Sequence, residues 1–156
     1  TAVTVETGAR GGFELRMPPG TSRRVTVTFP GEVGLEPASR EALELRVRSG
    51  ATLRVVPREL ANGETVRLSG RVRSRGAPIP RRGKLVSIQY LETATKRWRP
   101  VLVTRTDHSG RFRARYRFRY VSDGASIRLR AAVLPEERWP YVLGSSRSVT
   151  IHVSGR

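Results

Sequence analysis

The chain has 156 residues, of which 37% are hydrophobic and 28% charged, a composition that suits one or two small folded domains and excludes a disordered chain. Thirty basic residues against 13 acidic ones give a formal net charge of +17, so polyanions are the first partner class to consider. The absence of cysteine excludes disulfides and thiolate chemistry, and no apolar run is long enough for a membrane-spanning helix.

From the N-terminus, "TGARGGFELRM" (7–17) reads as a turn closing on Gly11, then an alternating strand that opens at Phe13. "SRRVTVTFPGE" (22–32) is a second strand, with Val25, Val27 and Phe29 on one face. "PASREALELRVR" (37–48) has the propensity of a Ser-capped helix but also alternates through Leu43, Leu45 and Val47. Further strands are expected at 52–56, 64–73, 84–91, 97–105, 111–120, 126–134 and 147–153. Turn-rich stretches such as "ELANGE", "SRGAPIPRRG" and "ETATKR" separate them. Within 111–120, "RFRARYRFRY", period-two alternation puts Arg111, Arg113, Arg115, Arg117 and Arg119 on one face and Phe112, Ala114, Tyr116, Phe118 and Tyr120 on the other. Arginines about 7 Å apart repel by roughly 0.6 kcal/mol per pair in water and far more in a dry interior, so the arginine face must be outside.

Short alternating strands without an amphipathic helix indicate an all-β fold, an antiparallel β-sandwich. Its core is expected to comprise Leu53, Val55, Val66, Leu68, Val72, Val86, Ile88, Tyr90, Trp98, Val101, Val103, Phe112, Tyr116, Phe118, Ile127, Leu129, Val149, Ile151 and Val153. An internal repeat refines the organisation. Residues 7–17 align with 106–116, 22–32 with 126–136, and 43–50 with 149–156, so the ambiguous segment at 37–48 reads as a strand. Residues 1–50 are then the C-terminal half of a preceding similar unit, and 51–156 one complete seven-stranded unit. The chain begins at Thr1 with neither Met nor a signal sequence, and a fragment of a longer protein is expected. The half-unit would leave Val5, Phe13, Leu15, Val25, Val27, Phe29, Leu43, Leu45 and Val47 without a facing sheet, which favours strand exchange between copies.

"GRV" at 70–72, the "P-x-x-G-K-x-V" entry to the next strand, the W-x-x-V strand and "T-D-x-x-G-x-F" from Thr106 to Phe112 together resemble a known family. It is that of the Ig-like, carboxypeptidase-regulatory-like (transthyretin-like) β-sandwich repeats of exported proteins from GC-rich Gram-positive bacteria. The resemblance implies a non-catalytic spacer or adhesive module, extracellular or on the cell surface, with no shared catalytic residues and no cofactor.

Chemistry read directly from the residues agrees with that expectation. His108 sits in a predicted turn and His152 on the outward side of a strand, neither with partners at metal or triad spacing. Glu136 and Glu137 read as a solvated turn, and Asp107 and Asp123 as turn residues bonding their own backbone. No catalytic or metal-binding residue is assigned. The basic face is the functional candidate: Arg71, Arg73 and Arg75, Arg97 and Arg99, the five arginines of 111–119, and Arg128 and Arg130. The leading expectation is a solvated face on a structural or adhesive module that associates with copies of itself or with neighbouring repeats. The alternative is a binding surface for an anionic wall polymer or glycan. Nucleic acid ranks below both, because readers of bases place aromatic rings among the basic side chains and here the aromatics point inward.

Overall fold

The structure is a computed structural model that describes residues 2–155, with residues 39–42 described by their backbone alone. The strands are β1 (Arg23–Phe29), β2 (Ala38–Leu45), β3 (Gly50–Val56), β4 (Glu59–Ala61), β5 (Thr65–Arg73), β6 (Leu85–Glu92), β7 (Arg97–Arg105), β8 (Arg111–Arg117), β9 (Ala125–Val133), β10 (Gly144–Ser145) and β11 (Val149–Ser154). There is no helix among the described residues. Strands β3, β5 and β8 form a three-stranded antiparallel sheet in the order β3-β5-β8. The larger sheet runs β4-β11-β9-β6-β7, with β10 also paired to β9 and β4 parallel to β11. This is the all-β sandwich that the alternating patterns indicate.

The two sheets bury the inward half of each alternation. Val55, Val66, Leu68, Val72 and Phe112 of the smaller sheet share one core with Val86, Ile88, Leu129, Ala131, Val133, Ile151 and Val153 of the larger. Gly70 lies on the inner side of β5, opposite Phe112, and a Cβ there would come within 2.5 Å of the Phe112 ring. The missing side chain is what lets that ring lie across the strand.

Several expectations need correction. Trp98 and Val103 are not core residues. A bulge between Ile88 and Gln89 shifts the pairing of β6 with β7, so that Leu102 faces inward with Ile88, while Trp98 pairs with Leu91 and Val103 with Ser87 on the outer side. Val103 is 53% exposed. Trp139, Tyr141 and Leu60, outside the strands expected from the sequence, are buried instead. Residues 13–17 are not a strand, for no neighbouring strand offers them backbone partners, although the turn before them forms, with Gly11 N–H donating to Gly8 O at 2.8 Å. β8 ends at Arg117, so Arg119 and Tyr120 lie beyond it.

The segment at 37–48 does become a strand over Ala38–Leu45, which pairs antiparallel with β1. Val25 pairs with Leu43 and Arg23 with Leu45, the same relation that Leu129 has to Val149 and Ile127 to Ile151. The β1–β2 sheet has no third strand among the described residues, and Val27, Phe29 and Leu43 remain at least 36% exposed.

Candidate anion-binding face

The outer side of the β3–β5–β8 sheet is built by register. Outward positions on β3 are Gly50, Thr52, Arg54 and Val56; on β5, Thr65, Arg67, Ser69, Arg71 and Arg73; on β8, Arg111, Arg113, Arg115 and Arg117. Pairing sets Arg67 directly opposite Arg115 and Arg71 opposite Arg111, while Arg54 and Arg113 flank Ser69. Eight arginines thus occupy one face that carries no carboxylate and no aromatic ring. All eight are exposed, and none forms an ion pair among the described residues. Two are tethered by backbone carbonyls: Arg71 Nε donates to Ser109 O at 3.2 Å and Arg117 Nε donates to Gly63 O.

Like charges placed directly opposite one another on a sheet destabilise it. Opposed Cβ atoms lie about 4.5–5.5 Å apart and successive outward residues about 6.7 Å apart, so the face is a cationic ladder roughly 27 Å long. Arg54 and Arg67 belong to this face although the sequence reading omitted them. Their signal was available, since each has the same parity as the outward residues of its own strand.

The remaining candidates do not join this face. Arg75 lies just beyond β5, and Arg119, exposed, just beyond β8. Arg97, Arg99, Arg128 and Arg130 belong to the larger sheet. There three of these four cations have a partner, whereas Arg97 is exposed and makes no ion pair or side-chain hydrogen bond among the described residues. Arg99 Nε lies 3.2 Å from Glu92 Oε2, and Arg128 Nη2 donates to Ser148 Oγ at 3.1 Å. Arg130 donates to Gln89 Oε1 at 2.9 Å and covers the Trp98 ring at 4.2 Å, where burial lowers the guanidinium below its usual pKa.

The turn leading into β8 is built as its sequence suggests. Asp107 Oδ1 accepts from Ser109 Oγ at 2.7 Å, Ser109 N–H at 2.8 Å and Arg111 N–H at 2.9 Å, and these bonds hold the carboxyl below its ordinary range. Asp123 Oδ2 accepts instead from the Ser122 hydroxyl, at 3.3 Å. His108 is exposed on the β7–β8 turn, and His152 Nδ1 lies 2.9 Å from Ser126 Oγ.

Glu136 departs from expectation. Only 13% exposed, it is not a solvated turn residue: Oε2 lies 2.6 Å from Lys84 Nζ and Oε1 lies 3.1 Å from Arg105 Nη1. Oε2 also accepts from Leu85 N–H at 3.0 Å. Burial alone would raise its pKa, but the Leu85 amide and the two cations outweigh that cost and hold the carboxyl at about 2. Lys84, 1% exposed, meets Glu136 outside hydrogen-bonding angles and lies 4.7 Å from the centre of the Trp139 ring. Glu137, by contrast, is 86% exposed.

No family model matches this chain, and no curated protein does. The resemblance to Ig-like and carboxypeptidase-regulatory-like repeats is therefore not upheld. Among solved structures, the chain is similar to an alkylpurine DNA glycosylase, AlkC, from Pseudomonas fluorescens, bound to DNA containing an abasic site analogue. The TM-score is 0.41 at 13% identity, over 70% of this chain and 31% of that one. The chain thus spans about a third of that protein's length. That protein is an enzyme, and the expectation that this chain has no enzymatic role is withdrawn. At this level of similarity the neighbour lends the chain neither an activity nor a ligand.

Proposed function

We propose that this β-sandwich binds an anionic polymer along the outer face of its β3–β5–β8 sheet. One observation carries the reading: eight arginines share that face without a single carboxylate, and two pairs of them stand directly opposed. A surface that only had to stay in water would intersperse both signs and avoid the repulsion. On the larger sheet, by contrast, Arg99 is paired with Glu92 and Arg130 is stacked on Trp98. With no ring on the arginine face for a base to stack on, recognition rests on charge, which favours acidic glycans and polyphosphates over base-reading of nucleic acid. The chain is expected to be retained on heparin resin at about 0.15 M salt and to elute well above it. Elution well below that concentration would remove the reading.

The β1–β2 hairpin supports a second role, association with copies of the same chain. Leu43 is 63% exposed on the isolated two-stranded sheet, and Val33, 107%, and Leu35, 59%, are exposed in the loop that joins its strands. Sedimentation is expected to show dimers or larger species that dissociate when Phe29 and Leu43 are both changed to Ser. A parent chain that stays monomeric at high concentration would remove this role.

A further inference from the structure

Where the arginine face ends at Arg73, the surface falls into a cleft of about 480 Å³. It differs from the face in composition. Arg48, Arg73 and Arg75 stand beside Met17, Pro18, Pro19, Leu45 and Tyr141, and no carboxylate of the described residues lines it. Its walls are tied together. Gly20 packs so closely on Gly76 that a Cβ on Gly76 would lie 3.2 Å from Gly20 Cα. Ser22 N–H donates to Pro140 O at 2.8 Å, Val47 N–H to Ser22 Oγ at 2.9 Å and Val142 N–H to Val47 O at 3.0 Å. Tyr141, 5% exposed, has its hydroxyl donating to Arg75 O. Arg23 is committed to the wall, its guanidinium donating to Pro18 O at 2.7 Å and to Thr21 O at 3.3 Å. The side chains of Arg48, Arg73 and Arg75 make no such bond among the described residues and are exposed.

A hydrophilic polymer has no use for the apolar half of this lining, and a purely apolar ligand has no use for three unpaired guanidiniums. We propose that the cleft is a separate site for a small organic anion, a phosphate or sulfate carried on an aromatic or comparably sized apolar body. The anionic group meets Arg48, Arg73 and Arg75, while the body lies against Leu45, Pro18 and the Tyr141 floor. The volume suits such a ligand, and a concave, mostly apolar lining with a few convergent polar groups is the usual form of a small-molecule site.

The test uses phenyl phosphate as the probe and inorganic phosphate as the control, by calorimetry and by amide shifts of the labelled chain. Burying the phenyl ring is expected to tighten binding by between about tenfold and a hundredfold over inorganic phosphate. Shifts should centre on residues 45–50 and 73–75. The double variant R48Q/R75Q, at two exposed positions, should weaken phenyl phosphate at least tenfold, while R113Q/R115Q on the face should leave it within twofold. Equal affinity for the two probes, shifts centred on 111–117, or insensitivity to R48Q/R75Q would each overturn the proposal. Heparin retention is read separately, so loss of either site leaves the other measurable.

Discussion

Replacing Glu136 with Gln is expected to destabilise the folded chain by about 3–5 kcal/mol, the effect of removing one partner from a buried ion pair. Gln keeps the volume and still accepts from Leu85 N–H, so packing changes little. What changes is Lys84, left 1% exposed against the Trp139 ring with no counter-charge. Denaturant unfolding of E136Q measures the loss, and the double variant K84M/E136Q identifies its cause. If the stranded ammonium is responsible, removing it as well should recover most of the stability. The explanation fails if E136Q loses less than about 1 kcal/mol or if the double variant is no more stable than the single one. The same carboxyl predicts a pH dependence. Its pKa is about 2 in the fold against an ordinary 4.5, a gap equivalent to roughly 3 kcal/mol. Because the folded value is the lower one, this contribution is fully present above about pH 4.5 and is lost as pH falls towards 2. The stability difference between the parent chain and E136Q should therefore shrink across that window.

The elements and the arginine face were legible in the sequence because both follow from period-two alternation, a local property. Phe112 is 2% and Phe118 8% exposed while the arginines between and around them face out, as the spacing alone requires. Parity fails where a strand carries consecutive apolar residues. In β7, Val101, Leu102 and Val103 offer no preferred face, and the bulge opposite Ile88 decides that Leu102 turns inward. Which strands become neighbours is not local information. Nothing in the spacing says that β5 lies between β3 and β8 whereas β9 lies in the other sheet, and that choice separates the arginines of one face, none of them in an ion pair, from Arg99, Arg128 and Arg130 with their side-chain partners on the other. The Lys84–Glu136 contact was hidden for the same reason. Its one trace is compositional, since Lys84 is one of only two lysines among 30 basic residues and is the one that is buried.

The largest effect on binding is expected from changing Arg54, Arg67, Arg113 and Arg115 together to Gln. These four occupy the centre of the ladder, and none of their side chains makes a hydrogen bond or ion pair among the described residues, so their removal breaks no internal contact. It also abolishes the direct opposition of Arg67 and Arg115, worth about 0.2–1 kcal/mol of repulsion, so the variant should be at least as stable as the parent. Binding should behave in the opposite way. Each phosphate neutralised on a duplex contributes about 0.9 to the slope of log K against log salt, so a random-sequence DNA duplex serves as a polyanion of known charge spacing. Six to eight contacts predict a parental slope of about −5 to −7, and losing four should reduce its magnitude by about 3.6. At 0.1 M salt that change weakens binding by roughly 10³ to 10⁴, and the two proteins should converge as salt approaches 1 M. Changing Arg97, Arg99, Arg128 and Arg130 instead alters the net charge by the same amount on the other sheet, and it should leave most of the slope in place. If both quadruple variants lose slope equally, the polymer responds to total charge rather than to this face, and the β3–β5–β8 surface is not the binding site.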